Sequence, residues 1–376
     1  MAIAGTTIPL DSTEGMDKIT TTEKVTTPYF SDGAAELLAV SIVSSSLTDT
    51  NENYFFGVSH VDTPTTEEFN VTFGSTNGYG DTVGTNKKSR TEATYKQFAS
   101  LLLAPTEVTG GFIISSAGSG GANASGKDEE IFVMTSKRTN TKDRLNKGNW
   151  TIQLSGSLST AAGVVGSQIL HLTDDSVDKT PNASPMGDRY NIVSGSDGTV
   201  HTAASTRNFG YYYPNVGVLV FSESELSASI PGAFDAAFTD AFPFNTFNSA
   251  SRAGLGTKDT TTNTKEPLRF INCLTSVGDA NGTGAKLKFR DEEDQVSAQY
   301  FCRVRAAHAN FSNNPTFVSG SQNKLRATKM NGNPQTFITG VQLYNANNDI
   351  VAVANLSTPL KKNFSSEATI KVKLTY

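Results

Sequence analysis

Several things are scarce in this chain, and each scarcity removes a class of function. Charged residues make up only 18% of 376 residues, and the net charge is -5 with a pI near 5.5. A general nucleic-acid binder shows a basic face; the longest basic runs here are pairs such as Lys87-Lys88 and Lys361-Lys362. Two cysteines, Cys273 and Cys302, are too few for a disulfide scaffold and read as buried free thiols rather than a bridge. No apolar run approaches the roughly eighteen residues needed to cross a membrane. The N-terminal Met1-Ala2-Ile3-Ala4-Gly5-Thr6-Thr7 lacks the basic and apolar regions of a secretory leader. Triplets such as Asn149-Trp150-Thr151 therefore read as chance rather than as glycosylation sites. The expectation is a soluble, non-secreted protein.

Catalytic groupings are scarce too. The four histidines, His60, His171, His201 and His308, are dispersed, with no ligand grouping for zinc. His60 near Asp62 reads as a surface residue rather than an acid–base pair, and no Gly-x-Ser-x-Gly elbow is present. The stretch Gly121-Ala122-Asn123-Ala124-Ser125-Gly126-Lys127-Asp128 falls one residue short of a phosphate-binding loop. Where that loop needs a Ser or Thr hydroxyl for magnesium stands Asp128, followed by Glu129 and Glu130. It reads as a Gly/Ser/Ala hairpin loop. The acidic run Asp291-Glu292-Glu293-Asp294 lacks the alternating ligands and glycine of a calcium loop and reads as a solvated turn. Expected, then, are no catalytic, cofactor-binding or metal-binding residues, and no enzyme.

What the chain has in abundance is Ser, Thr, Asn and Gly around short apolar runs, the makeup of strands and turns. Residues 1–36 are polar and aperiodic: a flexible arm, or one that docks on a neighbouring subunit. Residues 37–156 read as a β-rich domain, with strands at Leu38–Val43, Tyr54–Val58, Gly111–Ile114, Glu130–Met134 and Trp150–Leu154. One helix interrupts it: Ser89-Arg90-Thr91-Glu92 fits a capping box, Tyr95, Phe98, Ala99 and Leu102 form a stripe, and Pro105 stops it. Residues 157–265 read as a mixed α/β insertion with a strand at Val216–Phe221 and a helix at Pro231–Ala241. Residues 266–376 read as a C-terminal antiparallel β domain, with strands at Leu268–Leu274, Ala285–Phe289 and Gln295–Arg305. At its end, Phe337, Val341 and Leu343 are expected on one face of a strand, and the run Ile350–Leu356 on a second. In the last strand Ile370, Val372, Leu374 and Tyr376 point inward, while Lys371 and Lys373 point to water and are the expected interface residues. The fold class expected is mainly β, of β-sandwich or Greek-key type, with a few short helices and an α+β insertion in the middle.

Three stretches carry a family resemblance. They are Asp143–Gly156 (DRLNKGNWTIQLSG), Phe209–Phe221 (FGYYYPNVGVLVF) and Phe301–Tyr376, which includes Asn313–Phe317, Thr336–Tyr344 and the closing Lys371-Val372-Lys373-Leu374-Thr375-Tyr376. In these the chain resembles virion structural proteins of T4-like myoviruses of marine cyanobacteria. The resemblance implies a component of the virion, made and assembled in the host cytoplasm, without fixing its place in the particle. A tail, baseplate or neck position is the expectation, because multi-domain β proteins with insertions suit adaptors that meet several partners. The expected partners are other virion proteins and further copies of itself; composition and the lack of ligand groupings add the expectation of no nucleic acid, membrane, small-molecule ligand or cofactor. A capsid decoration protein and a tail-fibre carbohydrate-binding adhesin are the alternatives.

Overall fold

The strand Glu130–Ser136 explains how most of the chain is arranged. Its run Ile131-Phe132-Val133-Met134 is apolar at every position and wholly buried, so both of its faces need cover. In the computed structural model, which describes residues 10, 17–28, 40–44, 54–60, 67–81, 89–107, 111–114, 127–155, 169–201, 207–230, 266–275, 287–319, 322 and 324–375, this strand lies inside a twelve-stranded sheet. The main path of that sheet runs Leu287–Lys288, Thr151–Leu154, Leu170–Asp174, Gly187–Ser196, Gly210–Tyr213, Val218–Ser222, Glu130–Ser136, Glu67–Ser75, Phe55–His60, Val40–Ser44. Every adjacent pair along it is antiparallel. The protein is mainly β. The middle stretch contributes four strands to this same path.

Ile131 and Val133 face a cluster that includes Tyr95, Ala99 and Leu102 of the helix α1 (Arg90–Leu102). Phe132 and Met134 face the opposite cluster. That cluster takes in Leu226 of the short helix α2 (Glu223–Ser229) and Phe270, Ile271, Cys273 and Leu274 of α3 (Pro267–Thr275). The Phe270 ring meets Phe132 and Phe221 there, tilted, at centroid distances of 5.7 and 5.1 Å.

At the start of α1, the Ser89 hydroxyl accepts from the Glu92 amide at 3.3 Å, as a capping box requires. The Glu92 carboxylate instead pairs with Lys96 one turn on, and the Asp81 carboxylate takes the Arg90 amide. Tyr95 is the pin of this helix. Its hydroxyl donates to the Asp128 carbonyl at 2.6 Å and accepts from the Phe112 amide at 3.0 Å. Burial pushes its pKa up to about 12. A raised folded pKa means that the folded state holds its proton more tightly. The contribution is therefore complete below the ordinary value near 10 and is lost as pH rises toward 12. Tyr95→Phe is expected to strand the amide and the carbonyl and to cost about 1–3 kcal/mol. Thermal melts at neutral pH and near pH 11 check this: the gap between wild type and variant should narrow at high pH.

Several sequence expectations need correction. Leu268–Leu274 is not a strand; α3 occupies it. Phe270, Ile271 and Leu274 recur at helical spacing, and Arg269 is wholly buried between Glu266 (2.8 Å) and Glu223 (2.5 Å). Gly111–Ile114 is not a strand: it has no regular structure and joins no ladder among the described residues. The tract around Tyr211–Phe221 is a hairpin, Gly210–Tyr213 against Val218–Ser222, turned at Gly217 with φ +65°. A Cβ there would lie 1.9 Å from the Ser136 hydroxyl oxygen, so only glycine fits. The acidic run is not a solvated turn, because it lies within the strand Arg290–Val304, with Asp291 and Glu292 each 3% exposed. Glu292 accepts from Arg144 at 2.8 Å and Asn146 at 2.5 Å, opposite the strand Arg144–Leu145. The helix expected at Pro231–Ala241, the Asn281-Gly282 turn and the glycines of the 121–126 loop lie outside the described residues.

The chain divides into two units, residues 25–293 and residues 1–24 with 294–376. The twelve-stranded sheet belongs to the first. In the second, the final strand Ala368–Thr375 pairs antiparallel with residues 297–304, from Ser297↔Thr375 to Val304↔Ala368. The strand Lys18–Pro28, from the N-terminal stretch read as an arm, lies on the other side of Arg290–Val304. There the Phe301 amide donates to the Asp17 carbonyl at 2.9 Å.

Candidate interaction surface

Exposed apolar side chains gather on a hairpin of the second unit, Thr336–Tyr344 against Ile350–Lys362. Its tip is rigid. Asn345 Oδ1 accepts from the amides of Asn347 (2.9 Å) and Asp349 (2.8 Å), and its side-chain amide donates to Asp349 at 3.1 Å. Asn348 completes the turn with φ +66°, which asparagine tolerates. Its base is anchored as firmly. Thr336 and Lys362 face each other and are both buried. The Thr336 hydroxyl donates to the Ala309 carbonyl at 2.5 Å. The Lys362 ammonium donates to Ala306 O, Asn310 Oδ1 and Asn363 O at 2.8–2.9 Å.

Between base and tip, roughly 27 Å of strand, the hairpin is largely bare. Tyr344, Ile350, Val351 and Val353 are 47–60% exposed, and Phe337 is 57% exposed. Among the described residues the two strands form a sheet of their own. A two-stranded sheet has little stability in water by itself, and grouped exposed apolar side chains mark surfaces that meet something.

The hairpin was legible as strands, while its exposure was not. Phe337, Val341 and Leu343 do not share a buried face: Leu343 is buried, Val341 half-buried and Phe337 exposed. The register shifts between Ile338 and Gly340, which changes the side-chain parity along the strand. A glycine inside a strand pattern is the signal that points to such a break.

Lys371 and Lys373 are exposed on the final strand, alternating with buried Ile370 and Val372. Lys371 Nζ sits 6.0 Å from the centroid of the Phe301 ring opposite it. Leu374 is half-buried, and Tyr376 lies outside the described residues.

The other singled-out residues take structural positions. Asp128 is buried, with its carboxylate accepting from the Ile114 amide (2.7 Å) and the Ser222 hydroxyl (2.5 Å), so it ties segments together. His171 and His201 come together at 6.4 Å between ring centroids; partial burial and the neighbouring imidazole lower the His171 pKa. His308 is exposed. Cys273 is a buried free thiol whose pKa burial pushes up; Cys302 is free and half-buried. Among the described residues no group of three or more His, Cys, Asp or Glu is placed to hold a metal, and no helix is long and apolar enough to cross a membrane.

The first two stretches that carry the family resemblance pack against each other. The Leu145 amide donates to the Pro214 carbonyl at 3.0 Å, and the Tyr212 hydroxyl to the Asn146 carbonyl at 3.3 Å. Trp150 lies 5.2 Å from the Tyr212 ring. The Gly148 amide donates to buried Asp174 at 2.9 Å, a carboxyl whose pKa burial raises. Compared with known proteins, the chain matches no family model, and no curated protein or solved structure matches it significantly.

Proposed function

We propose that this chain is a bacteriophage virion structural protein, a tail, baseplate or neck component that works through protein–protein contacts in particle assembly. The observation that carries the reading is the anchored hairpin 336–362, with four large apolar side chains near its tip between 47 and 60% exposed. A hydrogen-bonded base and an apolar outer half that pairs with no third strand among the described residues suit an element that docks on another protein. The resemblance of Asp143–Gly156, Phe209–Phe221 and Phe301–Tyr376 to cyanophage virion proteins supports the particle setting. Lys371 and Lys373, exposed on the final strand, offer a second, charged contact region.

Mass spectrometry of purified particles tests the reading. The protein is expected among the structural components at defined stoichiometry; particles that lack it would overturn the assignment.

A further inference from the structure

The outer strand of the hairpin is protected unevenly. Natural sheets guard free edges with proline and lysine. Here Pro359 and exposed Lys361 do so at the base, while Ile350-Val351-Ala352-Val353-Ala354-Asn355-Leu356-Ser357 carries neither a charge nor a proline. Such a segment has high β-propensity and nothing to repel another strand. No strand among the described residues pairs with its outer edge.

The ends of this strand say which strand would fit. Exposed Asp349 precedes it and exposed Lys361 closes it, with no charged residue between them. Antiparallel pairing of the strand with itself sets the acidic end of each copy toward the basic end of the other, twice. Parallel pairing sets like charges together. We propose that Ile350–Ser357 is a self-association edge, through which two copies of this chain pair antiparallel about a two-fold axis. An isologous contact of this kind is complementary to itself. It extends each two-stranded hairpin into a four-stranded sheet and covers Ile350, Val351 and Val353 against the second copy. The inference deepens the assembly reading and rests on it for the purpose of the contact.

Sedimentation velocity of the full chain, from micromolar to tenth-millimolar concentration, is the test. Wild type is expected to dimerise reversibly. Val353→Lys puts a charge in the middle of the segment on both copies and is expected to weaken the dimer at least about tenfold. Val353 is 59% exposed, so the variant's melting temperature should be unchanged in dilute solution. Asp349→Lys and Lys361→Asp should each weaken pairing, and the two together should restore it. A folded wild-type chain that stays monomeric throughout overturns the proposal, as does a Val353→Lys dimer of unchanged affinity. A double exchange that fails to restore pairing overturns the antiparallel arrangement. A monomer that is nonetheless found in particles removes self-pairing and leaves the assembly reading standing.

Discussion

Deleting Thr369–Tyr376 is expected to leave the chain unable to fold as soluble protein. The deletion removes the ladder from Ser297↔Thr375 to Arg303↔Thr369 and keeps only Val304↔Ala368. It strips away buried Ile370 and Val372, worth roughly 1.5–3 kcal/mol each at most, together with half-buried Leu374. It also uncovers Ala298, which is wholly buried in the partner strand, and leaves a long unpaired edge open to aggregation. Against a typical stability of about 5–15 kcal/mol, these losses are decisive for a unit of this size. Soluble expression and thermal melting of the truncated chain check it. A soluble product with an unchanged melting temperature would show that the strand is dispensable.

The second large effect is expected at Trp150→Ala. Trp150 is wholly buried, stacked on Phe289 at 5.1 Å with 8° between the rings, and tilted 57° to Tyr212 at 5.2 Å. Its removal opens a cavity between the loop that leads into Thr151–Leu154 and the sheet. Losses of this kind cost about 3–5 kcal/mol, enough to lower the melting temperature of a unit of this size by about 10 °C. Trp150→Phe, which retains a ring, should lose much less. Calorimetry distinguishes the two; an alanine variant that melts within about 2 °C of wild type would mean that the site collapses without a void.

These residues also show how far sequence reasoning reaches. The helix α1 was readable because Ser89 caps it and Tyr95, Ala99 and Leu102 repeat at its period. The last strand was readable because Ile370, Lys371, Val372 and Lys373 alternate without interruption. Short apolar runs with no polar alternation were ambiguous. Leu268–Leu274 and Glu130–Met134 look alike as strings, yet the first is a helix and the second a strand. The Glu266–Arg269 pair, three residues apart, with Glu266 just before the helix and Arg269 in its first turn, is the local signal that separates them. The helix α2 had a capping signal in Ser222-Glu223-Ser224-Glu225 but too few turns for a stripe. Long-range relations left no local trace. Nothing near Glu292 announces Arg144 and Asn146, nearly 150 residues away in sequence, as the partners of a carboxylate within an acidic run. The exposed hairpin was missed for a related reason: period-two alternation marks a strand with two different faces, and Gly340 breaks that alternation where register, not composition, decides which side chains meet water.

If the outer half of the hairpin 336–362 is a contact surface in an assembled particle, its apolar side chains lose solvent there. Hydroxyl-radical footprinting of Tyr344, Ile350, Val351 and Val353, in the dilute chain and in purified particles, tests it most directly. Heavy labelling of all four is expected in dilute solution and strong protection in the particle, with exposed Val177, outside the hairpin, as the internal comparison. Equal labelling in the two states, from a chain incorporated into the particle, would contradict it.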